Sequence, residues 1–232
     1  MSKTATRAAS SGMSQRRELA IKEGNSAYLK KRAELLRTAA EVFNEQGYES
    51  TTLNDVADRF GTDRASLYYY VASKEELFQE VFQSSVQGVL EDNLREAQRI
   101  ERLDVTAREK LSLLLQVQLN SYAENYPYVY IYISEDMGKV AFQSTPWAQD
   151  MLAKTRAFTS IVRQILENGV EEGEFRSDVP PALMSRGFFG MINWTHRWFN
   201  PKTGAYSAEQ VARGFSQIFF DGVAPRPGDS PA

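Results

Sequence analysis

Helix-start signals recur along this chain, and they constrain its fold more than any other feature. A Ser or Thr followed three residues later by a carboxylate marks a helix N-terminus, because each side chain can bond the backbone N–H of the other residue. Three predicted helix starts carry this pattern, at Thr52–Asp55, Ser73–Glu76 and Thr106–Glu109. Ser207 offers one more cap, and apolar residues at helical spacing follow each signal. The sequence therefore predicts an all-α fold.

One segment has the pattern of a strand instead. Over residues 126–133, tyrosines alternate with other residues, and a period of two is typical of a half-buried β-strand. No second run of this kind is present to pair with it, and a lone strand is not stable in water. We therefore predict a buried helix here as well.

Composition favours binding over catalysis. The 232 residues include no cysteine and a single histidine, His196, so there is no material for a thiolate nucleophile, a disulfide or a thiolate-ligated metal. Adjacent carboxylates such as Glu171 and Glu172 diverge on a helix and do not converge on one substrate. We expect no catalytic site, no metal and no cofactor. A helical enzyme and a helical interaction scaffold remain the rival classes.

Charge is distributed unevenly along the chain. The net charge is −3, but residues 1–40 alone carry +6, which leaves −9 for the other 192 residues. A basic end on an acidic body suggests an arm that lies along the phosphates of DNA, and the alternative is a solvated terminus without a function. No apolar run is long enough to span a membrane, and the N-terminus has no apolar core of a secretory signal. We expect a cytoplasmic protein without a membrane partner.

Two short helices joined at Gly61 form the pattern of a helix-turn-helix. A small residue at the turn lets the two helices cross at a large angle. The second of these helices, from Arg64 to about residue 70, hides Leu67 and Val71, and its exposed side chains are Thr62, Arg64, Ser66 and Tyr69. Arginine can bond the edge of guanine with two hydrogen bonds, and serine or threonine can bond bases or phosphates.

The N-termini of two helices offer contacts to a DNA backbone. These are the first helix of the helix-turn-helix and the helix that follows it. Lys74 lies beside the free N–H groups at the N-terminus of the following helix, and a cation and a helix dipole together favour an anion. Thr51 and Thr52 lie at the start of the first short helix. Lys74 could instead be a solvated lysine of the capping turn.

The stretch over residues 32–82, which contains TTLNDVADRFGTDRASLYYYVASKEELF, resembles the N-terminal domain of the tetracycline-repressor (TetR) family of bacterial transcription regulators. The resemblance implies an all-α homodimer with an N-terminal three-helix DNA-binding unit and a C-terminal ligand-binding and dimerising domain. By position, it assigns recognition-helix contacts to Thr62, Arg64, Ala65, Ser66 and Tyr69. It assigns contacts to the DNA backbone, or the orienting of such contacts, to Thr51, Thr52, Tyr68 and Lys74.

Some positions near this motif depart from the family pattern or admit a second interpretation. Val71 and Tyr70 stand where the family usually has phenylalanine and histidine, and both concern packing rather than the face toward DNA. Tyr68 could be a packing tyrosine with a partly wet hydroxyl.

The resemblance gives the chain four segments. These are a disordered basic tail over 1–27, a helix-turn-helix DNA-binding domain over 28–75, an effector-binding and dimerisation domain over 76–224, and a disordered tail over 225–232. The apolar run 188–199 and the helix after Ser207 are the pair predicted to form the homodimer as a four-helix bundle. A dimer of this kind places two half-sites of a palindromic DNA operator one helical turn apart.

Aromatic residues are dense in the effector domain, and they predict a large apolar cavity with a few polar groups. The predicted effector contacts are Tyr128, Tyr132, Phe142, Trp147, Phe158, Asn193, Trp194 and Arg197. Arg197, on a helix predicted to be buried, needs a carboxylate or an anionic ligand, whereas His196 is expected to be a hydrogen-bonded core residue.

The effector is predicted from a further resemblance. The run NWTHRWFNP resembles regulators of fatty-acid, sterol or aromatic-acid breakdown that respond to acyl-coenzyme A (acyl-CoA) thioesters. An acyl-CoA is therefore the first choice of effector, and a neutral drug-like or aromatic compound is the alternative. The tendency of the family implies a repressor that its effector releases from DNA.

Overall fold

The structure is a computed structural model that describes residues 26–134 and 146–224, except for the side chains of Ser84, Ser85 and Ser134. All regular structure in these residues is helical, which confirms the all-α prediction. The chain divides into two compact units between Val86 and Gln87. The predicted tails lie outside the described residues, apart from residues 26 and 27, which begin the first helix.

The first unit is a small helical domain. Its elements are α1 (Ser26–Gln46), α2 (Leu53–Phe60), α3 (Arg64–Leu67), α4 (Lys74–Val81) and a π-helical turn (Phe82–Val86). Helix α1 packs on α2 and α4, and α2 packs on α3. The core is formed by fully buried residues from all four helices, among them Leu35, Phe43, Val56, Leu67 and Phe78.

The residues at the ends of these helices adopt the capping conformations that their types favour. Gly47 and Gly61 adopt the left-handed conformation with φ of 78° and 75°, which ends α1 and α2. Thr52 and Asp55 form a reciprocal capping box at α2. At α4, Ser73 caps the N–H of Glu76, but the Glu76 carboxylate accepts from the N–H of Ala72 instead of that of Ser73.

Helix α3 is shorter than the sequence predicts. It ends at Leu67, because the N–H groups of Tyr69 and Tyr70 bond carbonyls three residues back, at 3.1 and 2.9 Å, and this tighter pattern closes the helix. The spacing of Leu77, Val81, Val86 and Val89 predicts one long helix after Ser73, but the π-helical turn Phe82–Val86 interrupts it.

The second unit is a larger helical bundle. Its elements are α5 (Gln87–Glu101), α6 (Ala107–Glu124), α7 (Tyr128–Ser134), α8 (Pro146–Glu171), α9 (Pro181–Trp194), a 3₁₀ turn (Thr195–Arg197) and α10 (Ala208–Val223). Helix α6 packs on α10, and α5 and α9 both pack on α8. The ambiguous tyrosine-rich segment is the helix α7, as predicted, and its Tyr130 is completely buried.

Helix α9 differs from its prediction in length and in burial. The sequence predicts a helix to about residue 199 with no exposed face, but α9 ends at Trp194 and a 3₁₀ turn follows. In the single chain, Trp194 is 59% exposed and Trp198 is 45% exposed. Apolar residues predict burial, but they do not distinguish the core of one chain from a surface that a partner covers.

Two glycines provide opposite tests of the packing in this unit. A methyl group on Gly169 of α8 would lie 2.8 Å from the Ala107 Cβ and closer still to the Phe175 ring. That ring is buried and stacked on Phe220, so it cannot move away. Gly88 on α5 has open space around it.

We expect Gly169→Ala to destabilise the protein by about 1–3 kcal/mol through overpacking. Gly88→Ala is expected to stabilise it by about 0.5–1 kcal/mol, because alanine loses less conformational entropy in a helix. Thermal unfolding of both variants would measure these shifts. Midpoints that move in the same direction would contradict the described packing around Gly169.

Candidate functional sites

The turn between α2 and α3 has the geometry of a helix-turn-helix. Gly61 ends α2 in the left-handed conformation, and its N–H and that of Thr62 bond carbonyls of α2. Asp63 then caps α3 by accepting the N–H of Ser66 at 2.7 Å. This bond and that of the Ser66 hydroxyl lower the pKa of Asp63 below its ordinary value, so the cap is ionised at neutral pH.

The predicted base-facing residues lie on the surface of α3 and of the turn before it. Arg64, Ala65 and Ser66 are exposed, and Thr62 and Tyr69 are half-buried. Leu67 and Val71 are fully buried beneath them, as the sequence predicts. The exposed side of α3 is therefore available to a partner.

Arg64 is held by Tyr68 one turn along the chain. Its Nε and Nη2 donate to the Tyr68 hydroxyl at 3.2 and 2.9 Å. The guanidinium is thus oriented by a neighbour before any partner binds, which gives Tyr68 a positioning role rather than a purely packing one.

Thr51 and Lys74 hold the loop between α1 and α2. Thr51 is buried, and its hydroxyl donates to the Gly47 carbonyl at 2.7 Å. The Lys74 ammonium donates to the carbonyls of Tyr48 at 2.9 Å and Glu49 at 3.3 Å. Both residues therefore have orienting roles within the fold, whereas Thr52, at the start of α2, is exposed.

The second unit contains a cavity of about 810 Å³ that is lined by residues of α5 to α9. Of the predicted effector contacts, Tyr132, Phe158 and Asn193 line it. Four other predicted contacts lie within the described ranges but do not line the cavity, and these are Tyr128, Trp147, Trp194 and Arg197. Phe142 lies outside the described residues.

The expectation that Arg197 is buried is wrong for the single chain. Arg197 is exposed, and its guanidinium lies over the Trp194 ring at 5.2 Å. Trp194 is the last residue of α9 and Arg197 is the last residue of the 3₁₀ turn that follows, and both side chains are exposed. His196 is half-buried and its Nδ1 bonds the Asn193 carbonyl at 2.7 Å.

Sequence reasoning missed the polar residues at the buried end of the cavity. Asn93, Gln118 and Tyr122 line it and are buried. The Tyr122 hydroxyl donates to Asn193 Oδ1 at 2.9 Å, and burial raises the pKa of Tyr122 well above its ordinary value. A signal for these residues exists in the sequence, because Asn93 and Gln118 interrupt apolar stripes of α5 and α6 at core-facing spacing.

The opening of the cavity is basic. Lys154, Arg163 and Arg186 line it, and the two arginines are exposed. Lys154 pairs with Asp150, and Arg163 pairs with Glu167. In the parts of the chain that the structure describes, Arg186 takes part in none of the ion pairs. The cavity thus combines a lining of apolar and uncharged polar residues with two exposed arginines, an arrangement suited to an amphipathic anion.

Comparison with known proteins identifies the family. Residues 35–81 match the model described as bacterial regulatory proteins of the tetR family, and residues 104–223 match the tetracyclin repressor-like C-terminal domain. The HTH-type transcriptional repressor KstR2 of Rhodococcus jostii is 30% identical over 195 residues, which cover 84% of this chain and 91% of that protein. This chain belongs to the TetR family. It is therefore a helix-turn-helix, DNA-binding transcriptional regulator.

Solved structures also support the membership of this regulator in the TetR family. KstR2 of Mycobacterium tuberculosis has a TM-score of 0.68 at 27% identity and covers 84% of this chain and 95% of that one. AibR, in complex with isovaleryl coenzyme A and operator DNA, has a TM-score of 0.57 at 20% identity and covers 82% and 98%. At that identity AibR shows the shared fold alone. In the described residues, none of the helices is long and apolar enough to span a membrane.

Proposed function

We propose that this TetR regulator is a cytoplasmic repressor that binds a palindromic operator as a homodimer and is released by an acyl-CoA thioester. The observation that carries the effector proposal is a cavity whose lining joins buried apolar and uncharged polar residues to exposed arginines. An effector of this kind acts by binding more tightly to the conformation that does not bind DNA.

The DNA contacts in this proposal follow the surface of the first unit. Arg64, oriented by Tyr68, is proposed to bond a base edge, with Thr62, Ala65, Ser66 and Tyr69 beside it. Thr52 is proposed to contact the DNA backbone. Thr51 and Lys74 are proposed to orient that contact through the loop they hold, and the Lys74 ammonium, which keeps its full positive charge, is also proposed to attract phosphate.

The homodimer is proposed to form through α9 and α10. One face of α9 carries Leu183, Gly187, Gly190 and Trp194 at spacings of four, three and four residues, and Leu183 is exposed like Trp194. Around both glycines, and around Gly214 on α10, nothing lies within 4 Å of an added Cβ. Small residues flanked by exposed apolar ones let two helices approach closely across a two-fold axis.

The chemistry of an acyl-CoA matches both ends of the cavity. Its acyl group is apolar and suits the lining around Phe158, Val129 and Leu152. Its coenzyme A portion carries several phosphate charges, which suit the arginines at the opening. AibR has the same fold and is seen with a thioester of this class. A neutral aromatic compound would pack against the apolar lining but would make no ion pair with the arginines.

Charge reversal at the opening tests the effector class. In a gel-shift titration on an operator recovered by sequencing DNA bound in the cell, decanoyl-CoA should release the wild-type protein. Arg186→Glu should require on the order of tenfold more thioester, because it loses a charged hydrogen-bonding group and gains repulsion. Arg102→Glu makes the same charge change at an exposed residue that does not line the cavity, and it should behave like the wild type.

Two outcomes would contradict this proposal. If neither decanoyl-CoA nor any other thioester releases the operator, while a neutral aromatic such as 2-naphthol does, the effector belongs to the alternative class. If both charge reversals weaken release equally, the opening of the cavity is not where the phosphates bind.

A further inference from the structure

Two buried amides of the cavity lining each have one polar atom without a partner, and both atoms are covered, so the amides must turn toward the cavity to meet a ligand. Asn93 on α5 is 6% exposed and Gln118 on α6 is 9% exposed, and both line the cavity. For Asn93 Nδ2 and Gln118 Oε1, the described parts of the chain supply no hydrogen-bonding group. Unsatisfied buried polar atoms are rare in folded proteins and destabilise them, so these two need an explanation.

Two tyrosine hydroxyls of this lining are bonded to other side chains of the lining. The Tyr122 hydroxyl bonds Asn193 at 2.9 Å, and the Tyr132 hydroxyl bonds Thr155 at 2.6 Å. The unmatched atoms are therefore confined to Asn93 and Gln118 within this lining. Asn93 Nδ2 is an N–H donor, and Gln118 Oε1 is a carbonyl acceptor.

We propose that Asn93 and Gln118 form a subsite for a hydroxyl group on the buried part of the effector. A hydroxyl oxygen accepts from Asn93 Nδ2, and a hydroxyl proton is donated to Gln118 Oε1; a carbonyl group could only accept. This inference rests on the cavity being the effector site, and it narrows the effector to a hydroxylated acyl-CoA. A saturated, unsubstituted acyl chain leaves both amides unsatisfied and is discriminated against for that reason.

Matched ligands test the subsite in two independent ways. The first set is decanoyl-CoA against hydroxydecanoyl-CoAs with the hydroxyl on carbon 3, 6 or 9. The second is 2-naphthol against 2-methylnaphthalene, which differ only by hydroxyl for methyl and carry no coenzyme A. In calorimetric titrations, we expect at least one hydroxylated thioester and 2-naphthol to bind the wild type about tenfold more tightly than their partners.

Two variants remove the subsite without removing volume. Asn93→Leu and Gln118→Met should abolish these preferences and should bind decanoyl-CoA at least as tightly as the wild type does. The unfolding temperature of ligand-free Asn93→Leu should equal or exceed that of the wild type, because an unsatisfied buried group is lost. Asn120→Leu, an exposed position on the same helix as Gln118, is the matched control and should keep the preferences.

The outcomes separate the subsite from the effector class. If no thioester binds but 2-naphthol is preferred and both variants lose that preference, the acyl-CoA proposal fails and the subsite stands. If the wild type binds the members of both sets within twofold, or if the preferences persist in both variants, the subsite is overturned even where thioesters release the operator.

Discussion

Ile218→Arg is expected to produce a monomer that binds the operator about a hundredfold more weakly than the wild type or worse. Ile218 lies on α10 and is 66% exposed in the single chain, so arginine there disturbs no contact within the fold. In the proposed dimer, the two-fold axis brings two such charges into an apolar interface, where they are desolvated without a partner. Each half-site is then bound separately, and the gain from binding two linked half-sites is lost.

The matched control for this variant is Leu113→Arg. Leu113 on α6 is also a large, exposed apolar residue of the second unit, at 41%, but it lies on neither of the proposed dimer helices. Sedimentation would give the oligomeric state and a gel shift the affinity, while circular dichroism would check that both variants fold. An Ile218→Arg protein that stays dimeric with unchanged affinity would place the dimer surface elsewhere.

Arg64→Ala is the second change with a large expected effect. We expect the protein to lose about 5- to 150-fold in affinity for its operator and to accept other bases at one or two positions per half-site, because a bidentate base contact is worth about 1–3 kcal/mol. Binding to unrelated DNA should change little, since phosphate contacts supply most of it. Selection from a randomised operator library would measure the preference at each position.

Two companion variants sharpen the interpretation of that result. Tyr68→Phe removes the hydroxyl that holds the Arg64 guanidinium, and it should weaken operator binding in the same direction but less. Arg37→Ala removes an exposed arginine of α1 and should leave the sequence preference intact. An Arg64→Ala protein with an unaltered preference would remove Arg64 from the base-reading set.

The parts of the structure that the sequence predicts well are those set by local chemistry. The capping box at Thr52 and the left-handed stop at Gly61 each involve residues three or four positions apart, so their geometry follows from the residues themselves. The extent of α3 was less predictable, because the tighter bonds after Leu67 depend on how the chain turns toward α4.

The cavity could be predicted only in part, because it is assembled from helices far apart in the sequence. Aromatic density correctly indicated a cavity in the second unit, and it included Tyr132 and Phe158. It gave no reason to choose Phe158 over Trp194, since both are apolar residues on predicted helices. Which residues line a cavity and which lie at an outer face depends on how five helices pack, and a periodic pattern in one helix does not contain that information.

The unpartnered amides of Asn93 and Gln118 have a consequence for the lifetime of the protein in the cell. With the cavity empty, two buried polar atoms lower the stability of the fold, and a ligand that satisfies them raises it by mass action. A more stable chain opens less often and is degraded more slowly. If the proposed effector removes this regulator from DNA, the same compound also protects it from proteolysis. The regulator would then accumulate while the effector is abundant, and DNA binding would resume without new synthesis when the effector is consumed.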